Sequence, residues 1–100
     1  MKFLVKYDEL IPGKNYPSMK EFFSNEPYYG QGEIIYYLRH GKEDMCRIEM
    51  ARDVFSGKFI SNEMIGMNDG EYTWFDFLAY YVEKYNLRLP EEFEKKILKK

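Results

Sequence analysis

The chain has one hundred residues, enough for a single globular domain over residues 1–100 with one core and no disulfide or metal to hold it. Its 45% hydrophobic and 19% aromatic content excludes a disordered segment, which is poor in aromatics and unbalanced in charge. With 15 basic against 17 acidic residues the net charge is −2, lacking the basic excess of a duplex-binding domain and too small and interspersed for a DNA mimic.

Cys46 stands alone, so no internal disulfide forms and a reducing compartment is expected. Met1-Lys2-Phe3-Leu4-Val5-Lys6 returns to charge before the apolar region of a signal peptide could build. No run approaches the ~18 apolar residues of a membrane span. The expectation is a cytoplasmic protein that engages neither membrane nor nucleic acid.

Phe3, Leu4 and Val5 predict a first strand over residues 2–7, followed by a loop around Pro12-Gly13. Ser18 and Glu21 have the spacing of a capping box, and Pro17 and Pro27 limit the helix there to about two turns, burying Phe22 or Phe23. Residues 33–39, E-I-I-Y-Y-L-R, are β-branched and aromatic and predict a strand apolar on both faces. Residues 40–44 then form a hairpin loop. Residues 45–50 alternate, with Cys46, Ile48 and Met50 on the inward face and Met45, Arg47 and Glu49 on the other. A turn follows at residues 53–58, where Gly57 supplies a positive φ. A third strand covers 59–67 and ends at Asn68-Asp69-Gly70.

The final third reads as helix. Thr73 and Asp76 repeat the capping-box spacing, and Leu87-Arg88-Leu89-Pro90 breaks the run. Pro90 suits the first position of a last helix, with Glu91, Glu92 and Glu94 early and Lys95, Lys96, Lys99 and Lys100 late, the order that complements a helix dipole. Only Phe93, Ile97 and Leu98 are placed to anchor it, so fraying is expected. The fold class is α+β: a small antiparallel meander of about four strands, with a short N-terminal helix and two C-terminal helices packed on one face.

Half of the residues from Tyr72 to Tyr85 are aromatic, including the single Trp, Trp74. On a helical wheel started at Trp74, Leu78, Tyr81, Val82 and Tyr85 share its side and are assigned to the core. Asp76, Ala79, Tyr80 and Glu83 take the other side. Tyr80 therefore lies between two carboxylates, an acidic-aromatic stripe suited to a basic partner surface.

Chemistry is sparsely marked. His40 is the only histidine and reads as a solvated turn residue; Cys46 reads as a buried, inert thiol. A nucleophilic Cys46–His40 pair, making the chain a small hydrolase or transferase, would lack a third orienting group. The acidic pairs at Glu43-Asp44 and Asp69-Gly70-Glu71 sit at turns, where backbone reasons explain them. Gly30-Gln31-Gly32 has a G-x-G spacing but enters a strand with no helix after it, so it does not cradle phosphate. Tyr28 and Tyr29, adjacent in the same Gly-rich loop, cannot both face one core, so one is exposed. No catalytic residue, metal ligand or cofactor site is assigned.

Residues 69–93, D-G-E-Y-T-W…Y-Y-V-E-K-Y-N-L-R-L-P-E-E-F, resemble the ending of small, mostly uncharacterised bacterial proteins, some of them similar to immunity proteins of toxin–immunity systems. The turn D-V-F-S-G-K at 53–58 is of a kind such proteins also show. The resemblance covers under half of the chain and carries no catalytic position. It implies a protein that binds and blocks another protein. The residues expected to meet that partner are Tyr80, Asp76, Glu83, Tyr28 and Tyr29, and a homo-oligomer formed through a free sheet edge is the structural alternative.

Overall fold

In chain order the computed structural model, which describes residues 1–99, runs β1 (Lys2–Phe3), a one-turn 3-10 helix (Met19–Phe22), α1 (Gln31–Arg39), β2 (Lys42–Arg47), β3 (Ala51–Arg52), β4 (Phe59–Ser61), β5 (Met64–Asn68), β6 (Tyr72–Phe75), α2 (Leu78–Tyr85) and α3 (Glu91–Leu98). The fold is α+β, with four strands in the order β1-β6-β5-β2 and a separate ribbon of β3 and β4. β5 is antiparallel to both β2 and β6, whereas β1 lies parallel to β6, pairing Lys2 with Tyr72 and Phe3 with Thr73. The sheet is therefore mixed, and the expected all-antiparallel meander is corrected at its first strand. That strand is also shorter than expected, because Leu4 and Tyr7 leave the edge to enter the core.

The largest correction is α1. Residues 33–39 are helical because their deepest residues recur at helical spacing: Ile34 and Leu38, both 0% exposed, lie one turn apart, with Gln31 on the same stripe. Ile35, Tyr36 and Tyr37 hide that stripe from a two-residue count by filling the other sides. Gln31 fixes the helix start: its amide donates to Val82 O and Asn86 Oδ1, and its Oε1 accepts from the Tyr28 amide. A helix does open after Gly30, contrary to the reading of G-Q-G as a strand entry. Gly30 itself is a packing requirement, with φ +79° and a Cβ position that would stand 2.6 Å from Leu98. Gly30→Ala is expected to lose more than ~1 kcal/mol in a urea titration, since both the backbone and Leu98 oppose the methyl.

Because α1 ends at Arg39, residues 42–44 belong to β2 instead of a hairpin loop. β2 is an edge strand, and all six of its residues are exposed. Cys46 is thus on the surface, and Ile48 and Met50 beyond it are 94% and 50% exposed, correcting the expected inward face. Alternation shows that two faces differ; it does not show that either is covered. A bulge between Glu43 and Met45, with charges at Lys42, Glu43, Asp44 and Arg47, guards the edge. Residues 59–67 are likewise two strands in different sheets, separated where the Glu63 amide turns back to Ser61 Oγ.

The capping box at Ser18 and Glu21 forms, but it opens a single 3-10 turn and buries Met19, leaving Phe22 and Phe23 partly exposed. In β6 the period is two: Tyr72 and Trp74 point inward, Thr73 and Phe75 outward. Trp74 donates its indole N–H to Leu38 O (3.0 Å), and its ring meets Phe93 of α3. From Leu78 onward the wheel is right for Leu78, Tyr81 and Val82, which are buried; Ala79 is buried with them, and Tyr85, assigned to the core, is only half-buried. α3 is anchored by Phe93, 0% exposed, with Ile97 and Leu98 against the core; Lys100 lies outside the described residues.

Candidate functional site

The sequence places Tyr80 alone on a polar face; the structure puts its hydroxyl to work. Asp53, 1% exposed, stands at the start of the turn between β3 and β4. Its Oδ1 accepts from the amides of Phe55 (2.8 Å) and Ser56 (3.1 Å), the Asx-turn expected of Asp there. Its Oδ2 accepts from the hydroxyls of Tyr80 (2.7 Å) and Tyr85 (2.6 Å) on α2. Between them Tyr81 accepts from the Val54 amide (3.0 Å), so three tyrosines of one helix clamp the ribbon. Burial pushes the Asp53 carboxyl up, but the donors from Tyr85, Tyr80, Phe55 and Ser56 together hold it well below the usual carboxylate range. The reciprocal hydrogen bond to Asp53, then burial, pushes the Tyr80 phenol up to about 12.

The Tyr80 ring stays half-buried. Held edge-on against Tyr81 (5.3 Å between centroids, 83°), it forms one wall of a groove of about 410 Å³. Ile65 and Met67 of β5 are apolar surfaces within it, Asp76 and Phe77 continue its wall, and Ile60, Ser61, Arg39 and Glu43 complete it. Asp76 does not serve Thr73 as a capping partner. Its Oδ1 accepts from the Ile65 amide (3.0 Å) while its own amide donates to Ile65 O (2.9 Å), stapling the β6–α2 turn to β5. Glu83 is exposed and faces Arg39 at 3.6 Å, a surface pair worth under ~1 kcal/mol.

The five expected contact residues therefore do not form one patch. Tyr80 and Asp76 share the groove, and Glu83 joins them through Arg39. Tyr28 and Tyr29 sit at the start of α1, and Tyr28 meets the residues that follow the other end of α2. The Tyr28 hydroxyl donates to Leu87 O (2.5 Å) and the Arg88 guanidinium covers its ring at 4.2 Å. Burial, with Glu94 nearby, pushes the Tyr28 phenol up to about 12. Tyr29 is 74% exposed, so the adjacent pair divides as expected.

His40 and Cys46 flank most of β2 and have different partners. His40 Nδ1 lies 2.7 Å from Tyr36 O with its ring stacked on Tyr36, while Cys46 Sγ faces Glu63 Oε2 at 3.5 Å. Local desolvation and that carboxylate push the thiol up, away from the thiolate a nucleophile needs. Among the described residues no three His, Cys, Asp or Glu side chains gather as a metal site.

Sequence reasoning missed Asp53 and Glu94. Asp53 was legible only as a turn residue, because its tyrosine partners come from a distant helix. Glu94 is buried where Arg88 grips it bidentately (2.6 and 3.1 Å) and the Leu89 amide donates to it (2.9 Å), and nothing local distinguishes it from Glu91 or Glu92.

No protein family, curated relative or solved structure matches this chain. Function has to be argued from the residues. Among those described, no helix is long and apolar enough to cross a membrane.

Proposed function

We propose that the chain is a non-catalytic, cytoplasmic protein-binding module that blocks a partner protein, as an immunity or inhibitor protein does. The observation that supports this reading is the fixed Tyr80 ring at the wall of the groove. Asp53 and Tyr81 hold the ring before any partner arrives, so little side-chain freedom is lost on binding. An amphipathic ring over apolar Ile65 and Met67, bordered by Asp76, Glu43 and the Arg39–Glu83 pair, offers a basic side chain both a face to lie on and carboxylates to meet. Acids at the border speed and select the encounter; the buried part of the contact supplies most of the affinity. Tyr28 and Tyr29 would form a second, separate contact. The proposal also takes the short N-terminal helix and the two C-terminal helices as packed on one face of the sheet; the Trp74–Phe93 contact supports this for α3, and the Trp74–Leu38 contact adds α1 to the same face.

The test is capture from a bacterial lysate on the immobilised protein, run beside two variants. A partner kept by wild type and by Tyr80→Phe, but weakened about thirtyfold by Tyr80→Ala, is the expected outcome, corresponding to a hot-spot loss of ~2 kcal/mol. A partner that binds Tyr80→Ala as tightly as wild type removes the groove from the reading.

A further inference from the structure

Beyond the groove, and sharing only Phe77 with it, a second cavity of about 380 Å³ opens. Phe3 of β1, Phe75 of β6 and Met64 of β5 contribute from the sheet, and Val5, Leu10 and Ile11 close it from the N-terminal loop. Trp74 and Tyr81 are also among its lining residues. Phe75 and Phe77 stack beside it at 5.5 Å and 10°, a flat aromatic wall. Phe3 and Val54 at its border are 61% and 45% exposed, so apolar surface continues outward from the cavity. The size falls within the ~300–1,000 Å³ of small-molecule sites, and such sites pair apolar walls with a few placed polar groups.

The polar groups decide the ligand class. Four charged residues line the cavity: Glu9, Arg47, Glu49 and Arg52. Glu9 is committed inside the fold, accepting from Ser18 Oγ (2.5 Å) and the Met19 amide (2.7 Å). Arg47 and Glu49 face each other at 3.8 Å. Among the described residues Arg52 has no carboxylate partner; its Nη1 donates to Gly57 O (3.0 Å), leaving the rest of a five-donor fork.

We propose that this cavity binds a small amphiphile with one carboxylate, of the medium-chain fatty-acid class, its tail along Phe75, Phe77 and Ile11 and its head on Arg52. The lining charges cancel, two acids against two bases, so it is the spare donors of Arg52 that select an anion over a cation, and the apolar walls select a chain over a free carboxylate such as acetate. This site adjoins the partner groove, with Phe77 lining both, but its polar end at Arg52 lies outside the groove.

Trp74, the single tryptophan, is a lining residue whose indole faces the core behind the cavity, so its emission is read together with the thermal midpoint. Its emission is followed while decanoate, decanol and decylamine are each titrated below their aggregation limits. Saturable change with decanoate is expected, at about tenfold or more higher affinity than decanol, since one charge-assisted contact separates them. Decylamine should bind weakest, and decanoate alone should raise the thermal midpoint clearly. Arg52→Gln keeps an amide N–H for Gly57 O and should bring decanoate to the level of decanol; Val54→Phe, at the border, should weaken all three. Circular dichroism checks that both variants fold. Trp74 emission and a thermal midpoint both unchanged by decanoate overturn the proposal, as does equal binding of the three probes or an unchanged preference for decanoate in Arg52→Gln.

Discussion

Phe93→Ala is expected to cost about 4 kcal/mol, the largest loss of any single substitution considered for this chain. The ring is 0% exposed and meets Tyr37 (5.6 Å, 78°), Tyr72 (5.4 Å, 89°) and Trp74 (5.9 Å, 67°), each nearly edge-on. It therefore joins α1, β6 and α3 at one point. Truncating a buried Phe loses its transfer free energy and leaves a cavity, together ~3–5 kcal/mol. The walls here are three rigid rings that cannot collapse inward. Against a total stability of ~5–15 kcal/mol for a domain, that loss leaves the protein marginal. Urea unfolding followed by Trp74 emission should show a much lower midpoint. Phe93→Leu, which refills most of the space, should cost less than half as much. Equal midpoints for Phe93→Ala and wild type would mean that α3 contributes nothing to the core.

Asp53→Ala is expected to destabilise by about 3 kcal/mol and lower the thermal midpoint by roughly 12–24 °C. Four donors lose their acceptor at once: two amides and two phenols. The acid also sets a pH dependence. Its folded carboxyl is held below the unfolded value of ~3.9, so its contribution is fully present above that value and fades as pH falls through the folded one. Asp69 acts in the same direction. Burial raises it, but hydrogen bonds from the Tyr72 amide, the Tyr37 hydroxyl, the Glu71 amide and Lys96 bring it to about 2. Stability should thus be level from neutrality to about pH 5 and decline below about pH 4. Asp53→Asn keeps a carbonyl for the two amides and removes one titrating group, so its decline should be visibly shallower. A parallel decline in Asp53→Asn would show that the clamp is not ionised in the folded state.

The aromatic run from Tyr72 to Tyr85 shows how much could be read in advance. Its burial was legible, and Trp74, Leu78, Tyr81 and Val82 are all core. Its conformation was legible only in part, because the period changes from two to 3.6 at Asp76-Phe77 and a single wheel cannot follow that change. The misreading at 33–39 has the opposite cause: β-branched and aromatic content outweighed the Ile34–Leu38 spacing, and burial overrode local propensity. At the candidate site the residue types were visible, since Tyr80, Asp76 and Glu83 stand on or beside α2. Their hydrogen bonds were not. Asp53 and Ile65 come from strands and turns whose approach depends on the whole sheet.

The parallel pair of β1 with β6 ties Lys2 and Phe3 to Tyr72 and Thr73, far later in the chain. The Lys2 amide donates to Glu71 O at 3.0 Å and Leu4 to Thr73 O at 2.9 Å, so almost the whole sheet-forming chain separates the two halves of each bond. At ~5–20 residues per second on the ribosome, the N-terminal segment waits roughly 4–14 seconds for its partner to be synthesised. Phe3, Leu4 and Val5 spend that time without a strand beside them. Closing so long a loop must precede any gain from the pairing, which makes it a slow step after β5 and β6 have met locally. The newborn chain should therefore hold its β5–β6 hairpin, with α2 and α3, before β1 is fastened down.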